Sequence, residues 1–389
     1  MSLKVPFSLL VVTASVTIGF GAIFALLPVF QDALQFGDVW LGGVTAASFI
    51  AGFIAQAGLS RYADRGYGHH LLLGGVVAAA IGCVGVAVAD SVAVLLGARV
   101  LLGLGEGAFL PAARRVVILK NPDNVGVALG RMGSAAMVGF LSGPPLAAFV
   151  AAQAGLRAPF WVIAVLLATS LPVIARFEIP ATDHAIHATP TRALLAIRGV
   201  RAGMLLGAGL FVAIGVYDSL WAKFLQEEHG ASTQFVGWSL LLFAVPIVIM
   251  SPRMGKVCDR LGPVRVGSLS ILYSVPFIAA YGFLPNKWFI ASLAIFHSFS
   301  EAAVTPSSQS AVARSSPPAL VAAGQGLLDG FGLLVAAASA LLFAPIYSVF
   351  GAWALWSGLA ACVAATGFAA RRVGRGLFAP VDAVPVDAL

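Results

Sequence analysis

Stretches of about twenty apolar residues, separated by short turns studded with Arg, recur from Val5 to Ala370, and about twenty helical residues are what a hydrocarbon layer about 30 Å thick requires per crossing. The pattern predicts twelve membrane-spanning helices, near residues 7–30, 40–59, 71–89, 92–112, 127–150, 158–175, 203–225, 235–252, 266–284, 288–312, 321–344 and 352–370. Little chain remains for a soluble domain. The fold class expected is therefore an all-α membrane protein.

Composition sharpens that picture. Of the 389 residues 60% are hydrophobic and 10% charged, and the mean hydropathy is +0.96, which excludes a water-soluble enzyme. The formal charge of +7 is explained by topology. With both termini in the cytoplasm, about 19 of the 23 Lys and Arg fall on the cytoplasmic side of the predicted spans. Arg61, Arg114, Arg115, Lys120, Arg192, Arg198, Arg265, Arg371 and Arg372 are among them, whereas only Arg157, Lys223 and Lys287 lie near the outer face. The expectation is an integral protein of the cytoplasmic membrane whose basic excess is not a nucleic-acid footprint. Its first helix follows a single Lys4 without a small-residue cleavage site and reads as uncleaved. Cys83, Cys258 and Cys362 stand far apart without metal-ligand spacing and read as small apolar residues. No metal, cofactor, nucleotide loop or nucleophile-base pair is indicated.

The chain also repeats itself. Ala63-Asp64-Arg65 is answered by Cys258-Asp259-Arg260, and Glu106 with Pro111 by Glu301 with Pro306, both about 195 residues later. Two matches at one offset argue duplication. The longest polar stretch, Arg176 to Arg201 with Asp183, His184 and His187, lies between the copies. The expected organisation is two pseudo-symmetric six-helix halves, 1–180 and 202–372, a cytoplasmic linker at 181–201 and a disordered cytoplasmic tail at 373–389.

Chemistry is sought where charge is expensive, since an ionised side chain near the bilayer centre costs roughly 2.5–3.5 kcal/mol on insertion scales and usually faces a cavity or a partner. Five residues qualify: Arg99, Glu106, Asp218, Glu301 and Asp329. Arg99 and Glu106, seven residues apart, share a helix face with Cα atoms about 10 Å apart along the axis, too far for direct pairing. Four acids against one Arg favour protonation of at least one acid and its use in proton exchange. Asp218 and Asp329 also suit wet helix ends. His297, one turn before Glu301, is either a proton shuttle or a packing residue. Phe20, Phe24, Phe109, Tyr217, Trp221 and Phe224 either line an apolar cavity or pack against neighbours. Gln309 and Gln325 either orient a polar substrate atom or bond across helices.

These residues resemble the major facilitator superfamily over nearly the whole chain. Its signature turn, Gly-x-x-x-Asp-Arg-x-Gly with following basic residues, is matched by Gly255, Asp259, Arg260, Gly262 and Arg265; the first-half copy around Asp64 and Arg65 lacks the opening glycine and carries one extra residue before Gly68. The resemblance implies that Asp64, Arg65, Asp259 and Arg260 belong to gating loops, although a solvated, topology-fixing turn reads equally from the residues. Gly130, Gly139, Gly143 and Pro144 follow the spacing of the fifth-span motif of antiporters in this superfamily, with Ala147 and Ala148 replacing the closing glycine pair. Small residues on one face with a proline bend suit a pliable helix seam or ordinary close packing. The run from Arg99 through Gly103, Gly105, Glu106 and Gly107 to Pro111 is similar to the sialin-related organic-anion branch and the spinster-type lysolipid branch, in which the Arg and the Glu take part in substrate binding and proton coupling. Their acidic partner in the first helix is missing here.

The function expected is a monomeric, proton-coupled secondary transporter that exports a small amphipathic organic compound or drug by antiport, without enzymatic activity. Its partners are the substrate, protons and the lipid bilayer. The alternatives are a proton-coupled symporter for an organic anion, a lysolipid transporter and, remotely, a membrane sensor that binds without transporting.

Overall fold

In a computed structural model of the chain, residues 5–62, 66–121, 125–177, 191–317 and 320–377 are described. These residues are helical almost throughout, without strands. In chain order the helices are α1 (Phe7–Gly21), α2 (Leu27–Leu34), α3 (Val39–Tyr62), α4 (Gly68–Val88), α5 (Val92–Lys120), α6 (Val125–Ala154), α7 (Ala158–Ile174), α8 (Thr191–Ala196), α9 (Arg198–Val216), a π-helical turn (Tyr217–Trp221), α10 (Ala222–His229), α11 (Thr233–Leu261), α12 (Pro263–Tyr281), α13 (Lys287–Ser315), α14 (Val321–Phe350) and α15 (Ala352–Val373).

Among the described residues ten helices are long and apolar enough to cross a membrane, and α1 and α7 are shorter apolar helices. With α1 and α2 as one broken crossing and α9, the π turn and α10 as another, the chain has the twelve spans that its hydropathy predicts. Two spans depart from regular helices. The first breaks at residues 22–26, and the seventh carries the π turn. Neither interruption disturbs the apolar run, so hydropathy alone passes over both.

The chain divides into two compact units, Met1–His187 with Tyr217–Leu241, and Ala188–Val216 with Leu242–Leu389. The crossing from the second unit back to the first falls at the start of the π turn, so Tyr217–Leu241 belongs with the first unit although it lies in the second half of the sequence.

In the first unit the helix-to-helix distance is set by glycines. A Cβ at Gly103 or Gly107 would strike the α3 backbone at Ser48 or Gly52, and one at Gly105 would strike α4 at Gly75 and Ala79. Alternate small residues thus let α5 lie against two neighbours at once. Gly139 and Gly143 abut α1 at Ala14, Thr17, Ile18 and Ala22, while Gly21 abuts the Phe140 carbonyl from the other side. In the second unit α9 packs against α13, α14 and α15, and α12 against α13 and α15.

Candidate functional site

In the first unit Arg99 is fully buried. Its Nη1 donates to the Phe20 carbonyl at 2.9 Å and its Nη2 to Ser48 Oγ at 2.6 Å. The helix break explains the first bond. The Phe24 amide bonds to Gly21 O at 3.2 Å instead of closing the helical bond to Phe20, which leaves Phe20 O available, and a cation at a helix C-terminus is favourably placed. The guanidinium also lies 5.0 Å from the Phe20 ring and 5.3 Å from the Phe24 ring, within cation-π range. Phe49 and Phe140 complete an aromatic cluster, at 5.5 Å from Phe20 and 5.7 Å from Phe24.

Arg99 makes its hydrogen bonds to these groups and not to Glu106. Two carboxylates act on it through space, Asp218 first and Glu106 second. Glu106 is half-buried on α5 and feels Arg99 and, more weakly, Arg114. Asp218 is buried within the π turn, a distortion common at functional sites. Beside it Tyr217 and Trp221 stack edge-on at 5.6 Å, and Trp221 Nε1 donates to Ser239 Oγ at 3.1 Å. The structure therefore gathers Arg99, Glu106, Asp218, Phe24, Tyr217 and Trp221 in one unit. Phe109 instead packs in the core against Gly75 of α4.

One turn beyond the π turn lies a cluster that sequence reasoning missed. Lys223, placed by hydropathy near the outer face, is only 5% exposed; its Nζ meets Asp38 Oδ1 at 3.1 Å and also pairs with Glu227. It donates to Gln31 Oε1 at 3.2 Å, while Gln31 Nε2 donates to Asp38 Oδ1 at 2.7 Å and to Phe36 O at 3.1 Å. The cluster ties α10 to α2 and to the turn before α3. The available signal was the Lys223 to Glu227 spacing of four on an otherwise apolar helix.

In the second unit Glu301 and His297 are buried on α13, with His297 Nε2 3.9 Å from Glu301 Oε1. The other ring nitrogen, Nδ1, is 3.0 Å from the Tyr281 hydroxyl at the end of α12. Both residues border a small cavity of about 10 Å³, also lined by Gly209, Ala213, Ser274 and Ser300. That volume is about the space one water needs. Asp329, half-buried on α14, does not line it. Gln325 donates to the backbone carbonyl of Gln309 at 2.8 Å, and the Gln309 side chain is exposed.

Gly139, Gly143 and Pro144 are buried in α6, where Pro144 and Pro145 lie beside Gly237 of α11. Gly130 belongs to the same helix. Asp259 and Arg260 are exposed at the end of α11, followed by Gly262 at φ +86°, a conformation that glycine adopts without strain. Asp64 and Arg65 lie outside the described residues. Cys83, Cys258 and Cys362 are free thiols, and among the described residues no cluster of His, Cys, Asp and Glu could hold a metal ion.

The sequence profile of the Major Facilitator Superfamily matches residues 9–221 and 203–383. Among curated proteins, the chain is 26% identical over 305 residues to the multidrug resistance protein MdtG of Serratia proteamaculans, covering 75% of this chain and 74% of that one. MdtG of Proteus mirabilis is 25% identical over 317 residues, 78% and 79% of the two chains. Among solved structures, a bacterial homolog of the human lysosomal transporter Spinster superposes with a TM-score of 0.77 at 17% identity, over 94% of this chain and 96% of that one. The nucleoside transporter NupG, as its D323A mutant, follows at 0.75 and 15% identity, covering 94% and 98%.

Proposed function

Because the chain belongs to the major facilitator superfamily, whose members are transporters and not enzymes, we propose that it is a proton-coupled antiporter that exports small amphipathic organic compounds. It is an integral membrane protein, and in this reading a monomer of the cytoplasmic membrane with both termini inside. The MdtG relatives, named multidrug resistance proteins, support a drug-like cargo.

The observation that carries the reading is the placement of three buried or half-buried carboxylates, Glu106, Asp218 and Glu301, inside membrane-spanning helices. Such groups are retained at a cost of a few kcal/mol each, which is accounted for if they take up and release protons. In this reading Glu106 and Glu301 exchange protons, with Asp218 and Asp329 as further acids and Arg99 as a fixed cation that sets the field in the first unit. Phe24, Tyr217 and Trp221 offer apolar and aromatic surface to the cargo. His297, Gln309 and Gln325 serve the second half. Residues 1–180 and 202–372 are the two moving halves joined by 181–201, with 373–389 as a tail. The glycine face of α6, including Gly130, Gly139, Gly143 and Pro144, is the pliable seam, and the loops carrying Asp64, Arg65, Asp259 and Arg260 are gates.

The second reading, a proton-coupled symporter for an organic anion or lysolipid, rests on Arg99. The bonds from both Nη atoms to Phe20 O and Ser48 Oγ leave little of that guanidinium for a carboxylate, which favours the exporter.

The two readings are separated in proteoliposomes with a pH gradient and a lipophilic cationic dye or a labelled organic acid on opposite sides. The exporter concentrates dye on the acid side as protons leave. Accumulation of organic acid along with the proton overturns the proposal.

A further inference from the structure

Glu301 is buried in the second unit, so an acid there needs a route to water. The residues around its cavity supply polar atoms in one direction. From Glu301 Oε1 the next titratable group is His297 Nε2 at 3.9 Å, beyond direct hydrogen bonding but bridged by one water in a cavity of about 10 Å³. From His297 Nδ1 the next is the Tyr281 hydroxyl at 3.0 Å. Tyr281 closes α12, one residue before the turn leading to α13. The other cavity residues are not titratable: Gly209, Leu210 and Ala213 from α9, Ile271, Ser274 and Ile278 from α12, Ser300 and Val304 from α13, and Val363 from α15. Phe243 of α11 stacks on His297 at 5.5 Å, and Trp356 of α15 on Tyr281 at 5.2 Å, holding both rings in place.

We propose that Tyr281, His297 and a water in this cavity form a proton relay from the outer end of α12 to Glu301, running through the core of the second unit. It rests on the proton-coupled reading above and adds the route by which that acid is loaded. In one transfer His297 Nε2–H gives its proton to the bridging water, which passes one to Glu301 Oε1. Nδ1 takes the Tyr281 hydroxyl proton, and the Tyr281 oxygen recovers one from water at the helix end. One proton moves inward, no electron changes owner, and rotation of the imidazole resets the chain. Ser300 Oγ donates to His297 O at 2.7 Å and so stays out of the relay.

The test follows the infrared C=O band of protonated Glu301, assigned by its loss in Glu301→Gln, after an external pH jump on the full chain in liposomes. Tyr281→Phe keeps the ring and removes only the hydroxyl; His297→Gln removes the titratable nitrogen pair. The expected result is a protonation rate at least tenfold slower in both variants, with the equilibrium titration midpoint of Glu301 shifted little. A purely structural role moves the midpoint or the helical circular dichroism and leaves the rate alone. Unchanged rates in both variants, or no titration of Glu301, overturn the relay. A working relay in a protein whose substrate flux ignores the pH gradient leaves the relay standing and overturns the antiport reading.

Discussion

Helices α5 and α13 are copies of one ancestral element that have come to treat their acids differently. Glu106 and Glu301 occupy the same place about 195 residues apart, each five residues before a proline. The small residues around them persist: Gly103, Gly105 and Gly107 in α5 stand where α13 has Ser298, Ser300 and Ala302. The charge partner does not persist. Arg99, locked onto Phe20 O and Ser48, has Ala294 as its counterpart, while α13 carries His297 in the place of Leu102. Packing tolerates only small residues at these close helix contacts and so keeps them, whereas a permanent cation in one copy and a titratable ring in the other give two acids with two duties. Glu106 sits in a fixed field, and Glu301 is connected to a proton path.

The largest effect expected is from Arg99→Ala. It removes both hydrogen bonds and the cation-π contacts and leaves Phe20 O and Ser48 buried without that donor, a loss on the order of 3 kcal/mol. Thermal unfolding in detergent is expected at a clearly lower temperature, with little transport remaining. Truncating the element at the twin position, Ala294→Gly, should lower the unfolding temperature by much less; equal losses would erase the asymmetry.

Next in size is Gly139→Val. Its side chain would enter the space of Ala14 and Thr17 on α1, and overpacking of this kind costs about 1–3 kcal/mol. Gly133, in the same helix, has nothing within 4 Å of a built Cβ, so Gly133→Ala should leave the unfolding temperature in place. A tolerated Gly139→Val would remove the close α1 to α6 seam from the account.

A smaller change is expected from Lys223→Met. This half-masked network has exposed acids, Asp38 at 29% and Glu227 at 53%, so solvent offsets much of the lost pairing, and about 1 kcal/mol is expected. A double-mutant cycle with Asp38→Asn measures the coupling directly; additive losses would mean that the ion pair contributes nothing. The smallest effect belongs to Gln309→Ala, because Gln325 bonds the backbone carbonyl of residue 309 and not its side chain. Transport and stability should both match the parent chain.

The twelve spans, the duplication and the glycine face of α6 were legible because each is written in sequence spacing: about twenty apolar residues per crossing, a constant offset, and glycines three or four apart. Arg99, Glu106 and Glu301 were legible because ionisable residues in apolar runs are rare. The break at residues 22–26 and the π turn at Tyr217–Trp221 were not, since apolar side chains mark depth in the membrane and say little about which amide bonds which carbonyl. Ser48, Gln31, Asp38 and Tyr281 were missed for a related reason. Each acquires its role only from a partner on another helix, and Asp38 and Tyr281 sit at span ends where polar residues are expected anyway.

The central claim is that buried acids exchange protons for cargo, and simultaneous proton and dye fluxes in proteoliposomes test it most directly. In the parent chain, dye should concentrate on the acid side with proton release, and Glu301→Gln should abolish gradient-driven accumulation while leaving dye-for-dye exchange in place. Gradient-driven accumulation that survives Glu301→Gln and Glu106→Gln together would contradict the account.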